Sequence, residues 1–276
     1  MLGQRIVTAV VLLAILLPSL LAASSWPFAA VTLVLIGAAG WEWGRLNGLA
    51  QAGSLGLGAM LVVFGFVALR AQWPATTPAA LWWAAAGVWV VGGGLALRAG
   101  PAGWPRLSAL LRRVLGLVGL AVAWLALAHA RGRGLNFILS VFCLVWMADI
   151  TAYFGGRRFG RRKLAPSISP GKSWEGVWSG LLGVTVLGVA WAWADTRVVT
   201  DSPSLYTMLD RRWGLVGAGL ALMVLAGLSV VGDLVESLVK RAAGVKDSSR
   251  LLPGHGGVLD RVDALLPVFP VALAVS

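Results

Sequence analysis

Apolar runs of about twenty residues constrain this chain most, because a helix needs that length to cross the hydrocarbon core of a bilayer. Nine such runs are legible, near 6–23, 27–45, 53–70, 79–97, 112–129, 135–155, 174–194, 213–239 and 257–275. The expected fold is all-α: a polytopic integral membrane protein with about nine transmembrane helices and short loops. Composition excludes the competing classes. Of 276 residues, 58% are hydrophobic and only 12% are charged, about half the charge usual in a soluble globular protein. A water-soluble enzyme could not solvate such a surface, and neither a disordered chain nor a disulfide scaffold fits. Cys143 is the single cysteine, so no intrachain disulfide is available, and a small buried hydrophobe is expected there. Fifteen Trp against two Tyr suit membrane interfaces.

The first run is expected to be a retained helix. No convincing small-residue cleavage site precedes Ser24, and further spans follow at once. Lys and Arg set the orientation, since retained cytoplasmic loops carry the excess of them. With Arg5 and the N-terminus in the cytoplasm, Arg45 and the loops Arg98–Arg113, Arg157–Lys172 and Lys240–Arg250 share that side. Arg70, Arg131, Arg133, Arg197, Arg211 and Arg212 fall opposite, and nine spans place the C-terminus outside. The net charge of +12 is explained by these loops, so no nucleic-acid partner is expected. Residues 1–276 read as one integral membrane domain. Residues 1–134 are expected to be packing helices, and residues 135–276 to hold the catalytic helices and loops. Glu42 is the only acid before Asp149, and the other ten lie later.

Acids inside spans cost ~2.5–3.5 kcal/mol on insertion scales and persist where they face protein or water. Asp149, deep in an apolar run, is one candidate. Ser229, Asp233, Glu236, Ser237 and Lys240 follow at i, i+4, i+7, i+8 and i+11, one polar stripe on a helix. Such a stripe would line a cavity opening to the cytoplasm. Bases follow at Lys240, Arg241, Lys246 and Arg250, then the compact turn Pro253-Gly254-His255-Gly256-Gly257, then Asp260, Arg261 and Asp263. Carboxylates from two segments, with bases and backbone N–H groups around them, suit Mg²⁺ and a polyphosphate. Mg²⁺ takes one or two carboxylates plus phosphates and water, and Lys and Arg neutralise the remaining phosphate charge.

A second basic cluster, Arg157, Arg158, Arg161, Arg162 and Lys163, precedes Ser169-Pro170-Gly171-Lys172-Ser173-Trp174-Glu175-Gly176. Topology and anionic headgroups account for part of it. Gly171-Lys172-Ser173 fails as a P-loop, because Pro166 occupies the required earlier glycine position and no strand is expected before it. Ser173 instead reads as the N-cap of the next helix, with Glu175 in its first turn and room for a phosphate at the helix start. Gly176 and Gly180 form a GxxxG pair for close helix packing. His129 reads as structural at the outer interface. No GxSxG, HExxH or CxxC occurs, so hydrolase elbows and zinc sites of those types are unsupported.

The segment Ser237–Asp263, SLVKRAAGVKDSSRLLPGHGGVLDRVD, resembles the signature of the CDP-diacylglycerol synthases, or phosphatidate cytidylyltransferases. The matching positions are Ser237, Lys240-Arg241, Lys246-Asp247, His255-Gly256-Gly257 and Asp260-Arg261-Asp263, with no departure over 27 residues. Ala148-Asp149 through Arg157 and Ser169-Pro170 through Gly176 also look like family motifs. The first half matches only as an apolar bundle. The resemblance implies that CTP and phosphatidic acid give CDP-diacylglycerol and pyrophosphate. It implies Mg²⁺, a possible second cation such as K⁺, and a homodimer in the bacterial inner membrane. By position, Asp233 and Asp260 look like the metal-binding aspartates, with Asp149 and Asp263 as further candidates. Asp233, Asp260, Lys240, Arg241 and Arg261 are the expected catalytic set. Lys172, Ser173, Ser237, Lys246, Asp247, His255, Gly256 and Gly257 are the expected substrate and phosphate contacts. Competing readings are a CTP-using enzyme on another lipid, such as an isoprenoid alcohol kinase or archaeal-lipid cytidylyltransferase, and an ion-coupled transporter.

Overall fold

A computed structural model describes residues 2–276; the side chains of Leu2 and Arg5 lie outside the described set, and with them the Arg5 anchor of the expected orientation. The chain is helical with one small hairpin. The helices are α1 (Leu2–Leu21), α2 (Trp26–Leu46), α3 (Gln51–Arg70), a one-turn α4 (Trp73–Thr76), α5 (Ala79–Gly87), α6 (Gly93–Gly103), α7 (Ala109–Arg133) and α8 (Leu135–Phe159). Strands β1 (Lys163–Ala165) and β2 (Ser169–Ser173) follow, then α9 (Trp174–Asp195), α10 (Leu205–Ala242), α11 (Leu259–Val262) and α12 (Leu265–Val275).

Among the described residues, seven helical stretches are long and apolar enough to cross a membrane: α2, α3, Ala79–Arg106, α7, α8, α9 and α10. The Ala79–Arg106 stretch joins α5 to α6 through a π turn at Val88–Gly92. Thus the nine expected runs do not become nine long helices. The apolar part of α1, Ile6–Leu21, is shorter than the others. The ninth run breaks near Asp263, leaving α11 with 4 residues and α12 with 11. At 1.5 Å per residue, α12 extends only about 16 Å, half a hydrocarbon core of ~30 Å. Its apolarity has another cause. Residues Leu266 to Ala274 are all buried, and α12 packs against α5, α7, α8 and α10. A periodicity count cannot separate a helix buried in protein from one buried in lipid.

Helix α10 starts earlier than its apolar run, and Gly214 (φ 65°, ψ 175°) interrupts it near the start. That positive φ is the left-handed region glycine tolerates. The Gly176–Gly180 pair serves the packing expected of it. A Cβ on Gly176 would lie 2.9 Å from the Ala152 carbonyl oxygen, and one on Gly180 would lie 3.1 Å from that of Ala148. Only glycine lets α9 approach α8 this closely.

Hydrogen bonds sort the loops onto two sides. Arg131 donates to the carbonyls of Leu20 and Ala22, and His129 meets the Pro74 carbonyl. Arg133 and Arg212 both reach Ser276. On the same side Asp201 accepts from the first amides of α8, Leu135 and Asn136. On the other side Thr8 donates to the Pro253 carbonyl, and the hairpin meets the end of α10 through Arg241 and the Ile168 carbonyl. These contacts put Arg131, Arg133 and Arg212 on one side and Arg241 with the hairpin on the other, as the Lys and Arg bias anticipates for these residues, with Ser276 opposite the hairpin.

Candidate active site

The site is built where α8, the hairpin, α9 and α10 meet. Lys163 pairs with Ser173 and Ala165 with Ser169 in an antiparallel hairpin. A strand therefore does run up to the helix, contrary to the sequence expectation, but it passes through Gly171-Lys172-Ser173, and the glycine-rich phosphate loop is still missing. The turn into α9 is closed from both ends. Ser173 Oγ accepts the Gly176 N–H at 3.2 Å, as its N-cap role requires. The Glu175 carboxylate accepts the Arg161 and Arg162 amides at 3.0 and 3.2 Å. Thus braced, β2 aims Lys172 at α10, where its Nζ meets Asp233 Oδ2 at 2.6 Å.

A cavity of about 370 Å³ lies at this contact. Its lining mixes polar Asp149, Arg157, Lys172, Ser173 and Asp233 with apolar Val177, Leu181, Ala226 and Val230. Asp233 keeps 32% of its side chain exposed, and its Oδ1 accepts from Ser237 Oγ at 3.3 Å. Along α10, Asp233 lies nine residues before Ala242, about 13 Å from the helix end. The acid is recessed by more than two turns.

One turn further on is a second cluster. Lys240 is 8% exposed, with its Nζ 2.6 Å from Glu236 Oε2 and 2.5 Å from Asp260 Oδ1. The other oxygen of Asp260 accepts from the Ser248 amide and hydroxyl at 2.9 Å each and from the Gly257 amide at 2.8 Å. Burial alone would raise the Asp260 pKa. The Lys240 ammonium and the Gly257 N–H outweigh it and hold the carboxyl at about 2. Gly256 (φ 80°) turns the chain so that these amides face the acid; a Cβ there would lie 2.6 Å from Asp260 Oδ2. Asp263 accepts the Ala264 amide and pairs with no Lys or Arg among the described residues. Burial, then the neighbouring Asp233 carboxylate, push its carboxyl up.

The remaining expected residues are spread around these clusters. Arg241 donates to the Ile168 and Val245 carbonyls, and Arg261 donates twice to the His255 carbonyl. Each brace uses only part of a five-donor guanidinium. His255 is half-buried, and its Nδ1 has no partner. Lys246 and Asp247 stand exposed at the rim and join none of the four ion pairs among the described residues. Ser229, at the inner end of the stripe, is fully buried with an unpartnered hydroxyl. His129, bonded to Pro74 and Arg133, is on the far side.

Ser248 and Ser249 were not among the sequence candidates, and neither was the acid they share, Glu42 of α2, which is 0% exposed. It accepts from Ser248 Oγ, Ser249 Oγ and the amides of Val258 and Leu259 at 2.6–3.1 Å. The available signal was a lone acid in an otherwise acid-free half of the chain.

No group of three or more His, Cys, Asp or Glu residues forms a metal cage among the described residues. The donors are carboxylate and hydroxyl oxygens, and Asp263 beside Asp233 lacks a cationic partner. This donor set fits a hard ion held by one or two carboxylates and completed by phosphate oxygens and water. Fold and site together define a polytopic membrane protein with a recessed acidic and basic cleft suited to phosphate esters.

The relatives agree. Residues 3–276 match the model of the cytidylyltransferase family, and this chain belongs to that family. The phosphatidate cytidylyltransferase of Pseudomonas aeruginosa is 40% identical over 282 positions, covering 99% of this chain and 96% of that protein. That of Haemophilus influenzae is 47% identical over 142 positions, 51% of this chain and 46% of that protein. That of Brucella abortus is 41% identical over 167 positions, 59% and 53% respectively.

Proposed function

We propose that this chain transfers the cytidylyl group of CTP to phosphatidic acid, giving CDP-diacylglycerol and pyrophosphate. The observation that carries the reading is the Lys172–Asp233 contact in a cavity lined by both charged and apolar side chains. It joins two motif segments 61 residues apart where a charged nucleotide and a lipid can meet.

A non-bridging, ionised oxygen of the lipid phosphate attacks the α-phosphorus of CTP in line. The new P–O bond forms as the bond to the β-phosphate bridging oxygen breaks, and pyrophosphate carries that electron pair away. The lipid phosphate is already ionised near neutral pH, so no strong base and no covalent enzyme intermediate are needed. Lys172 supplies positive charge beside Asp233 and Lys240 beside Asp260, and the spare donors of Arg241 and Arg261 extend it toward the rim. Mg²⁺, with K⁺ as a possible second ion, would be held by Asp233 and Asp260, with Asp149 and Asp263 nearby, and would neutralise phosphate charge. We place the cleft on the cytoplasmic face of the inner membrane, where CTP is made, and propose a homodimer.

The test is a labelled-CTP assay on purified protein with phosphatidic acid in mixed micelles. A labelled liponucleotide should form with lipid and Mg²⁺ and vanish on chelation with EDTA. Folded protein that yields none would overturn the reading and direct the search to other lipid acceptors. Lys246→Ala should leave the fold intact, since the side chain is exposed and unpaired. It should raise the KM for CTP about tenfold, the scale of one hydrogen bond to a charged group. An unchanged KM would make Lys246 a topology residue.

A further inference from the structure

We infer that Glu42 is a positioning residue for the cytidylyl-transfer site, holding the loop that presents Asp260. This rests on the function proposed above. Glu42 lies 206 or more residues from its partners in sequence, yet none of its bonds is to an ordinary neighbour in the bundle. All four go to the signature segment. Oε1 accepts from Ser249 Oγ at 2.6 Å and the Val258 amide at 2.9 Å. Oε2 accepts from Ser248 Oγ at 3.1 Å and the Leu259 amide at 2.7 Å.

No Lys or Arg pairs with Glu42 among the described residues, so a buried carboxylate is held by neutral donors alone. Burying such a charge is costly. A carboxylate can do here what no neutral side chain can, which is to accept on both oxygens at once. The donors it fixes interleave with those of Asp260. Three consecutive amides are divided between the two acids: Gly257 donates to Asp260, and Val258 and Leu259 donate to Glu42. Ser248 Oγ lies between them, 2.9 Å from Asp260 and 3.1 Å from Glu42. A hydroxyl has one proton, so Ser248 bonds one acid at a time while its amide stays on Asp260. Whatever moves Glu42 disturbs the two loop residues that anchor Asp260, Ser248 and Gly257.

The test is Glu42→Gln in the full-length protein. Glutamine keeps the volume but turns an NH₂ group toward a backbone N–H, orphaning one buried donor. Turnover per folded molecule should fall about tenfold or more, the cost of such a donor, with the KM for phosphatidic acid within about twofold of wild type. Amide exchange reads the same coupling without activity. Protection should drop at Val258 and Leu259 and also at Gly257 and Ser248, whose amides bond Asp260 and not Glu42. Unchanged turnover, or lost protection confined to Val258 and Leu259, would overturn the inference and leave Glu42 as a packing residue. If Glu42→Gln does not fold, Ser249→Ala removes one donor from Glu42 without touching Asp260. It should lower turnover and the Gly257 protection to a smaller degree, and an effect on neither would count the same way. A wild-type protein that makes no liponucleotide would instead sink the proposed reaction, while the exchange pattern would still decide the positioning role.

Discussion

Asp260→Asn is expected to abolish cytidylyl transfer, lowering turnover on the order of 10²–10³-fold or more, the scale of losing a preorganised electrostatic group. The side chain faces four donor groups. Lys240, the Ser248 amide and hydroxyl, and the Gly257 amide all point at it. An asparagine would offer one acceptor oxygen and turn its NH₂ against donors. The fold should survive in detergent, because Glu236 still pairs with Lys240. The acid limb of stability should change as well. The Asp260 carboxyl is depressed to about 2, against ~3.9 unfolded. Its contribution is therefore fully present above about pH 4 and lost as pH falls toward 2. Asp260→Asn lacks that titration, so its melting temperature should fall less steeply than wild type across this window. Near-normal turnover in the labelled-CTP assay would remove Asp260 from the reaction.

Lys240→Met should be worse for the fold than for any single contact. It would leave Glu236 and Asp260 facing each other without the cation between them. Breaking a buried pair in this way costs about 3–5 kcal/mol, a large part of the stability of most proteins. The double variant Lys240→Met with Glu236→Leu removes both charges, and Asp260 keeps its three other donors. We expect its thermal stability to recover most of the loss and its turnover to stay at least about tenfold down, because phosphate loses a cation. Melting in detergent and the labelled-CTP assay separate the two effects. Wild-type turnover in the double variant would make Lys240 a structural counter-ion only.

Much of this was legible because lipid imposes simple rules. Apolar length marked the long helices, Lys and Arg sorted the loops, and the glycine pair at 176 and 180 marked the α8–α9 approach. The polar stripe on α10 brought Ser237 to Asp233 and Lys240 to Glu236, but of its five residues only Asp233 lines the cavity, and Ser229 is buried in the bundle. What stayed hidden depends on tertiary contact. The last run looked like a span because α12 is sheathed by other helices, and protein and lipid demand the same apolar surface. The hairpin escaped notice because three- and five-residue strands of basic and turn-forming residues carry no period-two pattern. Glu42 stood out only as a lone acid in its half of the chain; its role stayed hidden because its partners come more than 200 positions later. Asp195 and Asp201 show the opposite case. They belong to the acid-rich half, yet they bond helix starts on the far side.

The length of α12 has a consequence for where the chemistry happens. One end of this helix is fastened at the far surface, where Arg212 and Trp213 hold the carbonyls of Ser276 and Val275. The other end gives way to Asp263. A strut of eleven residues spans about 16 Å, so it stops well short of the opposite headgroups and suspends the acidic floor inside the slab. Under the proposed function the helix is in effect a depth gauge. It would set how far the nucleotide descends, and it would spare the lipid from being hoisted out of its leaflet.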